Sequence, residues 1–203
     1  MSVYGYIDNG KIVAPVNMRS RFKDIGGWHL LNDEQRKAYG WYPCTVINEG
    51  YDASRQIRSS MPECVYDEVN QIIIATYTII QKPKEAIERE LLDRAREYRK
   101  HYEEAGTSIN GMHLRTDLGS QQRVAGLVAT LLSDLELMSV DFEAQPGEWV
   151  TIDRETGFAI GKAVGGHVQA CFTRCKELHA AIKAAETIDD KLSIQLDTGW
   201  PGQ

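Results

Sequence analysis

The sequence predicts an α+β protein. It reads as a small β-rich N-terminal domain over residues 1–82, a long connecting helix over 83–105, and a mainly helical C-terminal domain with short β-hairpins over 106–203. Three observations lead there. Asn-Gly or Pro-Gly turns separate β-prone segments at residues 9–10, 110–111 and 146–147. A charged stretch from Lys84 to Glu104 holds neither Gly nor Pro, and two later stretches repeat apolar residues at helical spacing. At 203 residues, 42% hydrophobic and 26% charged, the chain has the composition of a globular protein and enough apolar content for one large or two small cores.

The elements follow in order. Val3–Ile7 and Lys11–Val13 flank Asn9-Gly10, whose positive φ preference suits a type I′ turn, so they read as a hairpin. Asn32 or Asp33 caps a short helix that Gly40 ends, and Cys44 to Asn48 is extended. Val65-Tyr66, a polar turn, and the β-branched run Gln71 to Ile80 form a second β region, central to its sheet. Between Lys84 and Glu104, Ile87, Leu91, Ala95, Tyr98 and Tyr102 make one narrow stripe on a helix about 34 Å long, solvated on its other faces. Residues 107–114 are a second hairpin. Thr116, Asp117 or Ser120 then caps a helix whose broad stripe of Val124, Leu127, Val128, Leu131, Leu132 and Leu135 marks it as a core helix. A third hairpin turns at Gln145-Pro146-Gly147, and a long helix runs from about Phe158 or Ile160 to Glu186. Within it, Gly165-Gly166 reads as a point of close helix packing. Thr187 caps a last short helix before Gly199-Trp200-Pro201.

Charge and motifs narrow the function. Of the net charge of −6, residues 106–203 carry −5, with 8 Lys/Arg against 13 Asp/Glu, so this half would repel a nucleic-acid duplex. No apolar run reaches the ~20 residues that span a bilayer, and the first residues lack a secretory pattern, so neither membrane insertion nor export is expected. Cys44, Cys64, Cys171 and Cys175 form no CxxC pair and read as reduced thiols. His167, Cys171 and Cys175 share a helical face. The outer two stand about 12 Å apart along it, too far to meet on one zinc ion, so buried thiols are the better account. His113 near Asp117, and His101 beside Glu103 and Glu104, fall in polar segments, and no GxSxG, HExxH or phosphate loop occurs. We therefore expect no catalytic, cofactor-binding or metal residues and no enzyme activity. Trp28, Trp41, Tyr42, Trp149 and Trp200 fit either core anchors or surface contacts.

The run Thr116-Asp117, Ser120-Gln121, Phe142 and Gly147-Glu148-Trp149-Val150 continues through Val164, His167 to Phe172, Leu178, Ile182 to Ala185 and Gly199-Trp200-Pro201. This pattern, over about residues 95–201, resembles a domain of unknown function found near the C-terminus of many tailed-bacteriophage tail proteins. Leu31 to Gln35, Gly40 to Pro43 and Tyr66-Asp67 with Asn70-Gln71 are similar to a shorter module of tail and tail-fibre-associated proteins. The resemblance implies a non-enzymatic structural component of a phage tail, at the baseplate, tail tip or fibre base. It would be made in the host cytoplasm and located in the virion tail, with other tail proteins as partners. It transfers no site residue. Tail symmetry implies a homo-oligomer, a trimer being favoured, and the stripe Ile87, Leu91, Ala95 and Tyr98 is the expected contact. A fibre-assembly chaperone absent from the finished particle, and a receptor-binding tip, are the alternatives.

Overall fold

The computed structural model describes residues 3–17, 21–22 and 25–203. The chain divides into two compact units, Met1–Pro83 and Lys84–Gln203. The fold is α+β, as the sequence predicts.

In the first unit, β1 (Val3–Asp8) and β2 (Lys11–Asn17) form the expected hairpin, with Asn9 and Gly10 at φ 51° and 78°. A short pair, β3 (Arg21–Phe22) and β4 (Ile25–Gly26), and one 3-10 turn at Trp28–Leu30 precede α1 (Asp33–Lys37). Asn32 closes a capping box on α1, its side chain accepting from Gln35 N while the Gln35 side chain accepts from Asn32 N. The main sheet takes in β5 (Trp41–Ile47), β7 (Glu63–Asp67) and β8 (Ile72–Thr76) in the order β2-β1-β5-β8-β7, with β5 and β8 parallel and every other neighbour antiparallel. The β-branched run expected as one strand breaks at Tyr77-Thr78. Its end, β9 (Ile79–Gln81), leaves the main sheet to pair with β6 (Gln56–Arg58). Trp28 and Trp41 are fully buried beside Tyr4, and Tyr6, Phe22 and Leu31 pack against them. The rings of Tyr6 and Trp41 stack at 5.1 Å, and Phe22 meets Trp41 edge-on at 4.8 Å. Buried Arg36 closes this core. It lies over the Tyr4 ring and donates to Tyr4 Oη, Asp33 Oδ1 and the His29 carbonyl.

The second unit opens with α2 (Lys84–Glu104), so the helix expected as a connector is the first helix of this unit. A hairpin of β10 (Thr107–Ile109) and β11 (Met112–Leu114) leads to α3 (Leu118–Ser133). A longer hairpin, β12 (Ser139–Gln145) and β13 (Glu148–Asp153), leads to α4 (Arg154–Ala184), and α5 (Ile188–Ser193) completes it. α4 begins a turn earlier than the apolar pattern suggests, because the Asp153 carboxylate accepts from Thr156 N and caps it there. At 31 residues, about 46 Å, it is the spine of two cores. Its N-terminal half supplies Ile160 and Val164 to a core shared with Leu114, Val124 and Ile152. Its C-terminal half supplies Cys175, Leu178 and Ile182 to a core shared with α2, Leu196 and Trp200. Trp200 stacks on Tyr102 at 5.4 Å and donates from Nε1 to Leu196 O at 2.8 Å.

Two packing expectations are corrected. The stripe Ile87, Leu91, Ala95 and Tyr98 is not an open oligomer contact. Ile87, Leu91 and Ala95 are buried in the core they share with α4 and α5 of the same chain, and Tyr98 packs against it. A stripe of that width is covered within the chain, and α4 with α5 takes the place given to a second copy. Gly165 and Gly166 are exposed, and a Cβ on either meets nothing within 4 Å. The close approach of α3 and α4 falls one to two turns earlier. A Cβ on Gly157 would come 2.4 Å from Leu131 Cδ1, and one on Gly161 2.5 Å from Val128 Cγ2.

Candidate functional site

Close packing at Gly157 and Gly161 brings the α3 and α4 backbones together and leaves a shallow groove along their outer side, of about 510 Å³. Val128, Ala129 and Leu132 of α3 and Phe158, Gly165 and Val168 of α4 line it. Lys162 is the one charged lining residue, in a chain that is 26% charged. Leu132, in the groove, is 63% exposed, and apolar exposure continues past the end of α3 with Leu135 and Met138, each 75% exposed. The broad stripe of α3 is therefore only half a core stripe. Val124 and Leu131 are buried, while Leu132 and Leu135 face outward. Exposed apolar patches on a folded surface mark protein-contact or ligand-binding sites.

The residues weighed for chemistry lie elsewhere. His167, Cys171 and Cys175 are buried along one face of α4. His167 Nε2 donates to the Tyr102 carbonyl at 2.9 Å, and Cys175 Sγ donates to the Ala95 carbonyl at 3.8 Å. Burial pushes the Cys171 thiol up to about 11, and it does the same to Cys44, so both are protonated and unreactive near neutral pH. Among the described residues, no group of three or more His, Cys, Asp or Glu side chains stands in a metal-holding arrangement. The Asp117 carboxylate is engaged as the N-cap of α3, accepting from Ser120 N and Oγ at 3.1 and 2.8 Å and pairing with Arg115 at 3.0 Å. The Ser120 hydrogen bonds hold it below the usual carboxylate range. His113 leaves Asp117 aside and lies against Gly106, where an added Cβ would meet its ring at 2.6 Å. Glu103 pairs with Arg99 at 2.7 Å, and His101 sits edge-on to Tyr102. Trp28, Trp41 and Trp200 are core anchors, whereas Trp149, in the β12–β13 hairpin, is 67% exposed. The groove itself escaped the sequence reading, because apolar spacing does not tell which apolar residues another helix will cover. The small residues Gly157 and Gly161, one helical turn apart, were the available signal.

Two helices packed through glycine and flanked by hairpins thus leave an apolar groove along one side. Residues 86–195 match a family described as a domain of unknown function (DUF4376), and the chain belongs to that family. The matched stretch takes in nearly all of α2 and the whole of α3, α4 and the groove between them. No curated protein and no solved structure matches the chain. No helix among the described residues is long and apolar enough to cross a membrane.

Proposed function

We propose that this protein is a non-enzymatic structural component of a tailed-bacteriophage tail, docking through the α3–α4 groove onto another tail protein. The observation that carries the assembly part is the apolar outer face of α3 and α4, which lies within the family domain and holds one charged residue. The phage part rests on the resemblance of residues 95–201 to the domain found in tail proteins. A symmetric homo-oligomer, with a trimer favoured, belongs to the same reading. Its contact would use the groove, since the Ile87 stripe is taken up within the chain. The reading places the protein in the virion tail, with no nucleic acid as partner.

Peptide mass spectrometry of purified, genome-filled particles, set against the crude lysate of the cells that made them, tests it. Peptides of this chain at a fixed stoichiometry in the particle are expected. Abundance in the lysate with absence from the particle would overturn the structural role and leave a tail-fibre assembly chaperone. Binding of the purified protein to host cells would point to a receptor-binding tip.

A further inference from the structure

A second cleft in the second unit meets the groove at Lys162, the one residue that lines both. It measures about 880 Å³, within the range of small-molecule sites, and is bounded by the end of α2, the β10–β11 hairpin, the N-terminal half of α4 and Pro201-Gly202. Its charge runs against its surroundings. Residues 106–203 hold 13 Asp/Glu against 8 Lys/Arg, yet no carboxylate lines the cleft, whereas Lys162, His113 and His167 do. Lys162 makes no ion pair among the described residues. Thr107 and Ser108 add hydroxyls, with Ser108 directly across from His113 in the hairpin register. Ile109, Ala159 and Ala163 supply an apolar wall.

His167 is the decisive group. It is 7% exposed and lines the cleft, and its Nε2–H is committed to the Tyr102 carbonyl. Its Nδ1 has no hydrogen-bond partner among the described residues. That nitrogen is not fully buried, so it is open to solvent or to a ligand in the cleft. With Nε2 donating, Nδ1 either accepts from a hydroxyl or, on the protonated ring, donates to an anion. The adjoining lysine, and the exclusion of every carboxylate from the lining, select the anion.

We propose that this cleft binds a small molecule carrying one anionic oxygen group, a phosphate or a carboxylate. Lys162 neutralises its charge, His113 and His167 Nδ1 hydrogen-bond its oxygens, and the apolar wall takes the rest of the ligand. The proposal is independent of the tail reading.

The test is an NMR titration of the full chain with inorganic phosphate and, separately, with benzoate, following the imidazole nitrogens of its five histidines. The expected result is saturable shifts at His113 and His167, with His29 and His179 unmoved. Lys162→Gln should weaken binding about tenfold and His113→Gln by less. Both side chains are exposed, so each variant should melt as the parent does. Saturation by phosphate alone assigns a phosphate ligand, and by benzoate alone a carboxylate on an apolar body. No saturable shift with either probe, shifts spread equally over all five histidines, or an affinity unchanged in both folded variants would overturn the proposal.

Discussion

The second unit carries two apolar helix stripes that ended in opposite environments. The stripe of α2 is narrow, on a helix crowded with charge, and its Ile87, Leu91 and Ala95 are all but completely covered. The stripe of α3 is broad and its helix nearly free of charge, yet Leu132 and Leu135 beyond its buried edge lie open. The narrow stripe is covered by α4, with α5, Leu196 and Trp200 closing its edge. Covering a broad stripe takes neighbours on two sides, and α3 has α4 on one side only. Stripe width thus sets how much cover a helix needs, and the remainder of the α3 stripe stays open to solvent.

The sharpest way to break this comparison is to put the same charge on each stripe. Leu91→Glu buries a carboxylate where α2 meets α4, and the expected cost is about 3–5 kcal/mol, combining lost burial with an unpaired charge. Denaturant unfolding followed by circular dichroism should show the helical signal lost early. Dissociation of an oligomer with the fold intact would restore the stripe as a contact between copies.

A smaller effect is expected where α5 locks onto the α2–α4 pair. Lys191 is fully buried, donating to Glu88 Oε2 at 3.0 Å and to the Ile182 carbonyl. Lys191→Met keeps the stem but leaves both acceptors without their donor, for about 2 kcal/mol. Thermal melting of Lys191→Met beside Glu88→Gln separates the parts, since the second variant preserves the bond to Ile182 and should cost less.

On the α3 side, Asp117→Ala removes the N-cap and should cost about 1 kcal/mol. The sign of its pH dependence follows from the depressed carboxyl. The cap's contribution is complete above the ordinary value of 3.8 and is lost as pH falls through the lower folded value. The melting difference between parent and variant should therefore shrink only in acid. A difference that instead shrinks as pH rises from 5 to 8 would rule out the ionised cap.

The smallest stability change belongs to the open stripe. Leu132→Glu should stay within about 0.5 kcal/mol of the parent, as exposed substitutions do, while sharply reducing incorporation into particles. A loss of stability matching that of Leu91→Glu would mean that the groove is already covered within the chain.

Much of this architecture was legible because its signals are local. Asn9-Gly10 and Asn110-Gly111 announce their hairpins, polar clusters at Asn32-Asp33, at Thr116, Asp117 and Ser120, and at Thr187 announce helix starts, and Gly- and Pro-free Lys84 to Glu104 is helical from end to end. The start of α4 was legible only in part, because Asp153 caps a first turn that has little apolar patterning. The break of the run Gln71 to Ile80 was not, since β-branched residues favour a strand without naming its partner. The cleft was the least visible, since His113 of β11 meets Lys162 and His167 of α4 only in the folded chain.

By itself, then, the sequence determined the elements, their order, their caps and turns, and the concentration of negative charge in residues 106–203. These depend on backbone preference and on neighbours within a few positions. Only the tertiary structure decided that α2 is a core helix, that Gly157 and Gly161 rather than Gly165 and Gly166 carry the close approach, and that the outer face of α3 stays open. Burial depends on which surfaces meet, and periodicity marks a face as apolar without saying how much of it another helix will cover.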